Sequence, residues 1–582
     1  MIRRILPIST ALLLWIGFLS NGCQHASTKP KAAPATAHLT GWDKFLHEYL
    51  EGYFKRHPDV AVQAGRHEFD GQLPDWSGDG IRRVIDWLHA MHLDALQFDV
   101  TGLNERQRFE REYLLAQIEG ELFWLESAQW PWRSPMFYSD LRKGLDPSVY
   151  VTRPYAPLPI RLKAFVKYAH AVTNAVVQIK KNLHTPMPRT FVDIGHKTIS
   201  GLATYLETDV PTVFAPVKDK ALQAEFQQIN ATAVKSLRDL DEWLLKQKEK
   251  ANDRFALGAD LFQEMLRCTE RVDVPLDRLE ALGRADLERN LAALKAACAK
   301  YAPGKSILEC LDLINKEKPA GGPVTGARQQ LNGLKEFLIN TRLVTIPSRD
   351  EAKVEEAPPY ARWNFAYIDI PGPYEKGLPA VYYIAPPDPA WSAEEREAYL
   401  PPEGDLLFTS IHEVWPGHFL QFLHSNRSQS KFGQVFVGYA FAEGWAHYAE
   451  EMMWEAGLRA GDPEIHIGQL RNALLRNVRF LSAIGLHTGK MTVEDSERMF
   501  REMAFQDPGN ARQQAVRGTF DPAYLNYTMG KLMIRKLRED WTKTRGGREG
   551  WGAFHDELLS YGGPPIPLLR RQMLGTNAGP PF

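Results

Sequence analysis

The chain has 582 residues, of which 70 are basic and 71 acidic, so its formal net charge at pH 7 is −1. This balance offers no basic face for nucleic acid, and we expect no nucleic-acid partner. Four cysteines are too few for a disulfide scaffold. Composition thus excludes nucleic-acid-binding proteins and small disulfide-rich proteins.

The first 23 residues have the pattern of an export signal. Arg3 and Arg4 precede an apolar run that is short for a membrane span. The pair Gly22-Cys23 stands where a lipoprotein signal is cleaved so that the cysteine can carry lipid. We therefore expect residues 1–23 to be a lipoprotein-type signal that ends at Cys23. A cleaved signal that discards Cys23 is the alternative.

Residues 24–40 are rich in Ala, Pro, Thr and Lys and contain almost no large apolar side chain. Such a composition is typical of an extended tether. No second linker of this kind follows, although the remaining chain is longer than one simple core usually supports. We expect residues 41–582 to form a single large helical domain with two lobes, tethered to a membrane and facing the periplasm of a bacterial envelope.

The first part of this domain has helical periodicity. Apolar residues recur at steps of three and four, between Pro, Gly or Asp punctuation. The predicted helices are Trp42–Lys55, Gly80–Leu96, Glu105–Glu126, Pro159–Asn182, Lys218–Ala251 and Pro275–Lys300, with Thr190–Leu206 as a further helix beside a cleft. Thr492 is the predicted cap of a later helix.

Cys268, Cys298 and Cys310 lie inside this helical region. Small buried apolar packing is the preferred interpretation of all three. An exported chain can also pair two of them, so that alternative stays open.

A run of sixteen residues, Leu406 to Gln421, contains the most reactive combination of side chains. His412 and Glu413 begin it as in the H-E-x-x-H zinc motif, but the next histidine, His418, comes six residues later. At about 100° per residue, six steps place it on the wrong side of a regular helix. Pro416 and Gly417 predict a local bulge that returns His418 to the same side.

Glu443 is the natural third ligand, because two histidines and one glutamate form an established catalytic zinc set that leaves a position open for water. His447 and Glu450 share its helical face at spacings of four and seven. We expect them to orient the ligands from behind. The alternative is that the histidines are packed core residues and that the Glu443 face of its helix is solvated.

The expected chemistry follows from this set. Zinc held by His412, His418 and Glu443 would lower the pKa of bound water toward about 7. Glu413 would take the proton from that water and deliver it to the leaving amine.

The runs HEVWPGH from His412 and EGWAHYAE from Glu443 resemble the signatures of the bacterial domain-of-unknown-function 885 proteins. That group is similar to helical zinc peptidases such as thimet oligopeptidase, angiotensin-converting enzyme and the thermostable carboxypeptidases. The resemblance covers nearly the whole mature chain. It implies a mainly α metallopeptidase-like fold with a small β-sheet beside the active-site helix, and a zinc peptidase that acts on short peptides as an exopeptidase or oligopeptidase.

The segment from Thr345 to Pro389 is rich in β-branched and aromatic residues and prolines, and it predicts short strands. In the similar peptidases, an edge strand near the motif pairs with a bound peptide. Ala380–Ile384 is the candidate for that strand, with Tyr383 as a candidate substrate-binding residue. An ordinary strand aromatic is the alternative for Tyr383.

The run AVRGTFDPAYLNYTMGK matches a C-terminal element of the same family only in part, most clearly at Tyr527 and Gly530. By this resemblance Tyr527 is a catalytic candidate, because a phenol beside zinc would stabilise the oxyanion of the tetrahedral intermediate. Arg517 and Arg479 are candidates for binding a substrate carboxylate. A buried tyrosine and solvated arginines are the alternatives.

A second class of function remains open, namely a non-catalytic metal- or ligand-binding envelope lipoprotein. An open coordination position with Glu413 beside it separates the two classes, because a structural metal site has no use for a free base.

The expected lipid anchor can be tested at Cys23. Cys23→Ser removes the sulfur that carries the lipid, so the protein should move from the membrane pellet to the soluble envelope fraction in cell fractionation. A wild-type protein that is already soluble there would contradict the anchor.

Overall fold

The structure is a computed structural model that describes residues 41–139, 143–358, 362 and 365–582. The predicted signal at residues 1–23, with Cys23, and the predicted tether at 24–40 lie outside the described residues. Within the described ranges, no helix is both long enough and apolar enough to cross a membrane.

The described chain is mainly helical, as the sequence predicts. The α-helices, numbered in chain order, are α1 (Trp42–Arg56), α2 (Pro58–Gln63), α3 (Gly78–Gln97), α4 (Glu105–Leu122), α5 (Trp130–Arg133), α6 (Ser148–Thr152), α7 (Leu158–Asn182), α8 (Arg189–Phe214), α9 (Lys220–Gln247), α10 (Ala259–Glu270), α11 (Leu276–Tyr301), α12 (Ile307–Ile314), α13 (Gly322–Thr341), α14 (Ala393–Tyr399), α15 (Glu403–Glu413), α16 (His418–Ser425), α17 (Lys431–Val435), α18 (Tyr439–Glu455), α19 (Pro463–His487), α20 (Val493–Met503), α21 (Pro508–Phe520), α22 (Asn526–Thr542), α23 (Trp551–Ser560) and α24 (Ile566–Leu574).

Every helix predicted in the first part of the domain is present, with ends that move by a few residues. The segment predicted as Glu105–Glu126 forms α4 and then a π-helical turn at Phe123–Ser127. The cap predicted at Thr492 is confirmed, since its hydroxyl accepts from Asp495 N at 3.0 Å and Asp495 completes a capping box. Local sequence therefore determines these elements.

The predicted strands form a small sheet of β1 (Ala352–Glu356), β2 (Ala366–Asp369) and β3 (Ala380–Ile384). The strand order is β1-β3-β2, with β3 parallel to β1 and antiparallel to β2. The prediction that Ala380–Ile384 is an edge strand is therefore wrong. Its backbone groups already pair on both sides, so β3 has no free edge for a peptide.

Apolar clusters position the helices. In one of them Phe165 of α7 packs against Phe214 of α8 and Phe226 of α9, with ring centroids 5.6 and 5.7 Å apart. These spacings are typical of stabilising aromatic pairs. Another cluster joins α1 and α4 to the segment around α17.

Cys298 of α11 and Cys310 of α12 form a disulfide, with Cα atoms 5.8 Å apart. Both side chains are buried, as predicted, but the preferred interpretation as unpaired apolar residues is wrong for this pair. The short connection after α11 turns α12 back beside it, which brings the two sulfurs together although 12 residues separate them in sequence.

Helices α18 and α22 cross with their backbones almost in contact. A Cβ at Gly444 would lie 2.4 Å from the Cα of Gly530, and a Cβ at Gly530 would lie 2.0 Å from the carbonyl oxygen of Ala440. Real Cβ atoms do not approach other atoms this closely, so both crossing positions require glycine. The crossing places Glu443 of α18 near Tyr527 of α22.

A buried ion cluster ties the same two helices to α11. Lys531 of α22 is fully buried, with its Nζ 2.6 Å from Asp286 Oδ2 and 3.2 Å from Glu451 Oε2. Arg289 binds the same two carboxylates at 2.7 and 2.8 Å. Removing one member would leave a buried charge unpaired, which is strongly destabilising. The cluster therefore holds α11, α18 and α22 in one arrangement.

The close crossing gives a stability prediction. Gly530→Ala should lower the free energy of unfolding by about 2 kcal/mol or more, because the new methyl group forces α18 and α22 apart. Urea denaturation followed by circular dichroism measures the change. Gly333→Ala is the matched control, since Gly333 is exposed in α13 with nothing near its Cβ position. It should leave stability equal or raise it by about 0.5–1 kcal/mol.

Candidate metal centre

The segment HEVWPGH forms two helices with a break between them. Helix α15 ends at Glu413 and α16 begins at His418, so the predicted bulge within one helix is replaced by a change of direction. Gly417 N donates to the carbonyl oxygen of Ile411 at 2.9 Å, which closes the break. A Cβ at Gly417 would lie 1.8 Å from the carbonyl oxygen of His412, so only glycine fits.

Helix α18 holds this break from the side. The fully buried Trp445 donates its indole N–H to the carbonyl oxygen of Pro416 at 2.8 Å. Proline lacks an N–H, and the Trp415-Pro416 peptide bond is cis. The indole thus fixes the connection between α15 and α16 to the helix that carries Glu443.

The three predicted ligands converge. His412 Nε2 lies 3.2 Å from Glu443 Oε2, and His418 Nε2 lies 3.4 Å from the same oxygen. One ligand atom from each residue lies within 4.8 Å of the others. Tetrahedral zinc with bonds of 2.0–2.1 Å requires ligand atoms about 3.4 Å apart. The donor types are those that zinc uses, and the two histidine–glutamate separations match this spacing.

Glu450 orients the first histidine. Its Oε1 lies 2.7 Å from His412 Nδ1 and accepts the Nδ1 proton, which leaves Nε2, 3.2 Å from Glu443 Oε2, as the ring nitrogen available to a metal. Carboxylates commonly support metal-binding histidines in this way. Arg476 of α19 pairs with the same Glu450 oxygen at 3.1 Å. Glu450 thus contacts His412 on the side away from Glu443, and its role in supporting a metal ligand stays a prediction.

The ionisable side chains of the candidate centre shift one another's pKa values. Burial would lower the pKa of His412, but the hydrogen bonds that its ring donates to the Glu443 and Glu450 carboxylates outweigh it and raise that pKa to about 9. Burial would raise the pKa of Glu443, but the neighbouring His418 and His412 hold it well below its ordinary value. The carboxylates are thus anionic and attract a cation to this point.

His447 lies apart from the three ligands. It is fully buried, and its Nδ1 is 3.5 Å from Glu450 Oε2. Burial lowers the pKa of His447 to about 4 against the opposing effect of Glu450, so the ring is neutral at pH 7. Its contact with Glu450 is the one that its predicted supporting role requires.

Glu413 ends α15 beside the ligand His412 and is half-buried. Among the described residues its carboxylate makes no hydrogen bond or ion pair. A carboxylate next to a metal ligand and without another partner is available as a base. Tyr382 of β3, buried behind it, interacts with Glu413 through its charge.

Tyr527 lies over the metal ligands. Its ring is nearly parallel to that of His412, with an interplanar angle of 19° and centroids 6.2 Å apart. Burial and the charge of Glu443 raise the pKa of the Tyr527 phenol, so it is protonated at pH 7. Its hydroxyl has no hydrogen-bond partner within the described ranges, and it can donate to an oxyanion.

Arg479 and Arg517 both reach Tyr527. Their guanidinium carbons lie 5.0 and 6.0 Å from its ring centroid, and that of Arg476 lies 5.7 Å away. The alternative of a solvated arginine is wrong for Arg479, which is 8% exposed. The sequence carried a signal for this burial, since Val478 and Phe480 flank Arg479 in a largely apolar part of α19.

Tyr383 is not part of this group. Along β3 the side chains of Tyr382 and Ile384 are buried, whereas Tyr383 points to the opposite face and packs on Tyr367 with centroids 5.2 Å apart. Burial and the charges of Asp369 and Glu355 raise the pKa of Tyr383, and the charge of Arg153 lowers it. Strand alternation thus buries Tyr382, which was not predicted as a site residue and which the charge of Glu413 affects, on the other face of β3.

These features define a mainly helical protein with a buried candidate metal centre of two histidines and one glutamate. The chain belongs to the family described as "Bacterial protein of unknown function (DUF885)", which it matches over residues 58–573. This confirms the resemblance indicated by its motifs. The further similarity to helical zinc peptidases stays a prediction.

Solved structures share this fold. One is a candidate lipoprotein of unknown function from Shewanella oneidensis, with a TM-score of 0.76, 23% identity, and coverage of 92% of this chain and 100% of its own. A candidate lipoprotein from Colwellia psychrerythraea has a TM-score of 0.79, 16% identity, and coverage of 91% and 98%. No curated protein matches the chain in sequence.

The ligand set can be tested at His418. His418→Ala removes one of three ligands, so zinc affinity should fall by more than the factor of about 10² that loss of a supporting group costs. Competition with a chromogenic chelator measures the affinity, and circular dichroism checks the fold.

His424→Ala is the matched control. His424 lies on the same helix α16, but its Nε2 contacts the carbonyl oxygen of Thr345 and not the ligands. This variant should keep wild-type zinc affinity. Equal affinity of the His418→Ala variant and the wild type would contradict the ligand set.

Proposed function

We propose that the protein is a zinc-dependent hydrolase of amide bonds in short peptides. The observation that carries the proposal is the convergence of His412, His418 and Glu443 within 4.8 Å of one another, with both histidine–glutamate distances close to those of tetrahedral zinc. Glu413 lies beside them without a hydrogen-bond or ion-pair partner among the described residues. Three protein ligands are the number that catalytic zinc sites use. A structural site usually has four, and it needs no adjacent base.

When bound, the zinc ion would act as a Lewis acid toward water and toward the amide carbonyl. The protein groups supply the rest. Glu450 keeps the proton on His412 Nδ1, so that Nε2 remains a ligand. Glu413 takes the proton of the attacking water and then gives it to the leaving amine nitrogen.

Tyr527 would stabilise the negative charge that forms on the carbonyl oxygen of the substrate. Its ring lies beside that of His412, and its protonated hydroxyl has no partner among the described residues, so it can donate to the oxygen that becomes negative in the transition state. Donors that are already in place stabilise such charge more than mobile water does. Arg517 lies 6.0 Å from the Tyr527 ring centroid, but its charge is paired with Asp521.

The proposed location is the bacterial cell envelope, with a lipid anchor at Cys23 and the enzyme facing the periplasm. The signal-like residues 1–23 and the candidate lipoproteins that share the fold support it. In that compartment short peptides are the proposed substrates. His412 is buried and His418 and Glu443 are half-buried, so the restricted access to these proposed ligands favours exopeptidase or oligopeptidase activity over the cleavage of folded proteins.

Glu413→Gln tests the chemistry. The substitution keeps size and leaves the three ligands in place but removes the base, so peptide turnover should fall by at least about a hundredfold. The measurement is steady-state hydrolysis of the best substrate from a short-peptide library, at equal zinc content of both proteins.

Glu403→Gln is the control, since Glu403 is exposed at the start of the same helix α15. It should keep wild-type turnover. Wild-type protein that carries zinc but cleaves no library peptide would instead support the alternative of a non-catalytic binding lipoprotein. Equal turnover of the Glu413→Gln variant and the wild type would exclude Glu413 as the base.

A further inference from the structure

Three guanidinium groups surround the ring of Tyr527, and two of them have acidic partners. Arg476 pairs with Glu450 at 3.1 Å. Arg517 binds Asp521 Oδ2 through Nε at 3.0 Å and Nη2 at 2.9 Å. These two arginines therefore balance carboxylates of the protein itself.

Arg479 differs from both. Its Nε donates to Gln514 Oε1 at 2.8 Å, and no carboxylate among the described residues pairs with it. Its two terminal nitrogens make no hydrogen bond within the described ranges, and neither is among the enclosed polar atoms without a partner. The charged end of Arg479 thus retains access to solvent although the residue is 8% exposed.

A largely buried cation without an ion-pair partner lowers the stability of the folded protein. A buried charge that lacks an opposite charge loses hydration without gaining an ion pair. Burial, and secondarily the charge of Arg517, lower the pKa of Arg479 to about 10, so the group remains protonated at pH 7. An uncompensated cation with free donors is suited to binding an anion.

Arg479 lies close to the candidate metal centre, so an anion bound to its guanidinium would lie close to the metal. The guanidinium carbon is 5.0 Å from the Tyr527 centroid, and the Tyr527 ring is 6.2 Å from that of His412. Only one aromatic ring therefore separates Arg479 from a metal ligand. A peptide advances about 3.5 Å per residue, so a group held here belongs to a residue close to the bond at the metal.

We propose that Arg479 binds a carboxylate of the substrate, so that the site selects short peptides with a carboxylate within a residue or two of the cleaved bond. A planar guanidinium with two free amino groups matches the two oxygens of a carboxylate. The carboxylate is either the C-terminus or an acidic side chain. This inference rests on the proposed function for the cleaved bond, but its binding step can be measured without turnover.

The test uses the zinc-loaded Glu413→Gln protein, which should bind peptides without cleaving them. Isothermal titration calorimetry compares three probes, namely N-acetyl-Ala-Ala, its C-terminal carboxamide, and N-acetyl-Asp-Ala carboxamide. The free acid should bind at least about tenfold more tightly than the first carboxamide, as expected for a charge-assisted pair. Tight binding of the aspartyl carboxamide instead would identify an acidic side chain as the source.

The carboxylate of a probe can bind either the Arg479 guanidinium or the zinc ion. Arg479→Gln, made in the Glu413→Gln protein, distinguishes these two binding groups. It should bring the affinities for all three probes to within about twofold of one another. Arg512→Gln is the matched control, because Arg512 is exposed on α21 and its loss changes the net charge equally. It should preserve the preference. A preference that survives Arg479→Gln would place the carboxylate elsewhere and overturn the proposal.

Gln514→Glu provides a second variant in case Arg479→Gln does not fold. It places a carboxylate of nearly the same shape 2.8 Å from Arg479 Nε, so the arginine gains an internal partner. Thermal stability should rise or stay equal, while the preference for carboxylate probes is lost. A Gln514→Glu protein that keeps the full preference would also overturn the proposal.

The outcomes for binding and for hydrolysis are distinguishable. Binding of a carboxylate probe that depends on Arg479, in a protein whose wild type cleaves no peptide, supports this inference and contradicts the proposed hydrolase. Hydrolysis of C-terminal acid, C-terminal amide and aspartyl amide peptides with equal kcat/KM supports the hydrolase and contradicts this inference. A zinc-loaded protein that binds none of the probes and cleaves no peptide contradicts both.

Discussion

The candidate metal centre depends on the close approach of Gly417 to the carbonyl oxygen of His412. That approach ends α15, starts α16 in a new direction, and returns His418 to the side of His412, which a continuous helix could not do. Trp445 then ties the break to α18, and α18 carries Glu443, the third proposed ligand. The same helix therefore supplies Glu443 and one hydrogen bond that keeps the two histidines together.

The surrounding helices keep α18 in place. The glycine crossing with α22 brings Tyr527 to the ligands, and the buried Lys531 joins α22 to carboxylates of α11 and α18. Burial of so many charges is expensive, and each group is stabilised only because its partner lies on another helix. Such mutual dependence favours one precise arrangement of the site, as a metal centre requires.

Opposite charges pair at most of the charged groups around the centre. Among the described residues, the Glu413 carboxylate and the Arg479 guanidinium have no oppositely charged partner. Glu443 faces two histidines, Glu450 faces His412 and Arg476, and Arg517 faces Asp521. Arg479 alone among these charged groups has only an amide partner. The proposed substrate carboxylate would be the missing partner of Arg479. The pairing of opposite charges that orders the proposed metal ligands would then also select the substrate.

The sequence by itself determined the helices, the strands, the Thr492 cap and the identity of the residues that meet at the centre, because these depend on local periodicity and on side-chain chemistry. Only the tertiary structure decided that the motif breaks into two helices and that β3 is the central strand. It also decided that Cys298 pairs with Cys310 and that Tyr382, not Tyr383, is buried on β3 and affected by the charge of Glu413. These features depend on contacts between segments distant in sequence, and no local pattern specifies which backbone edges, sulfurs or charges will become neighbours.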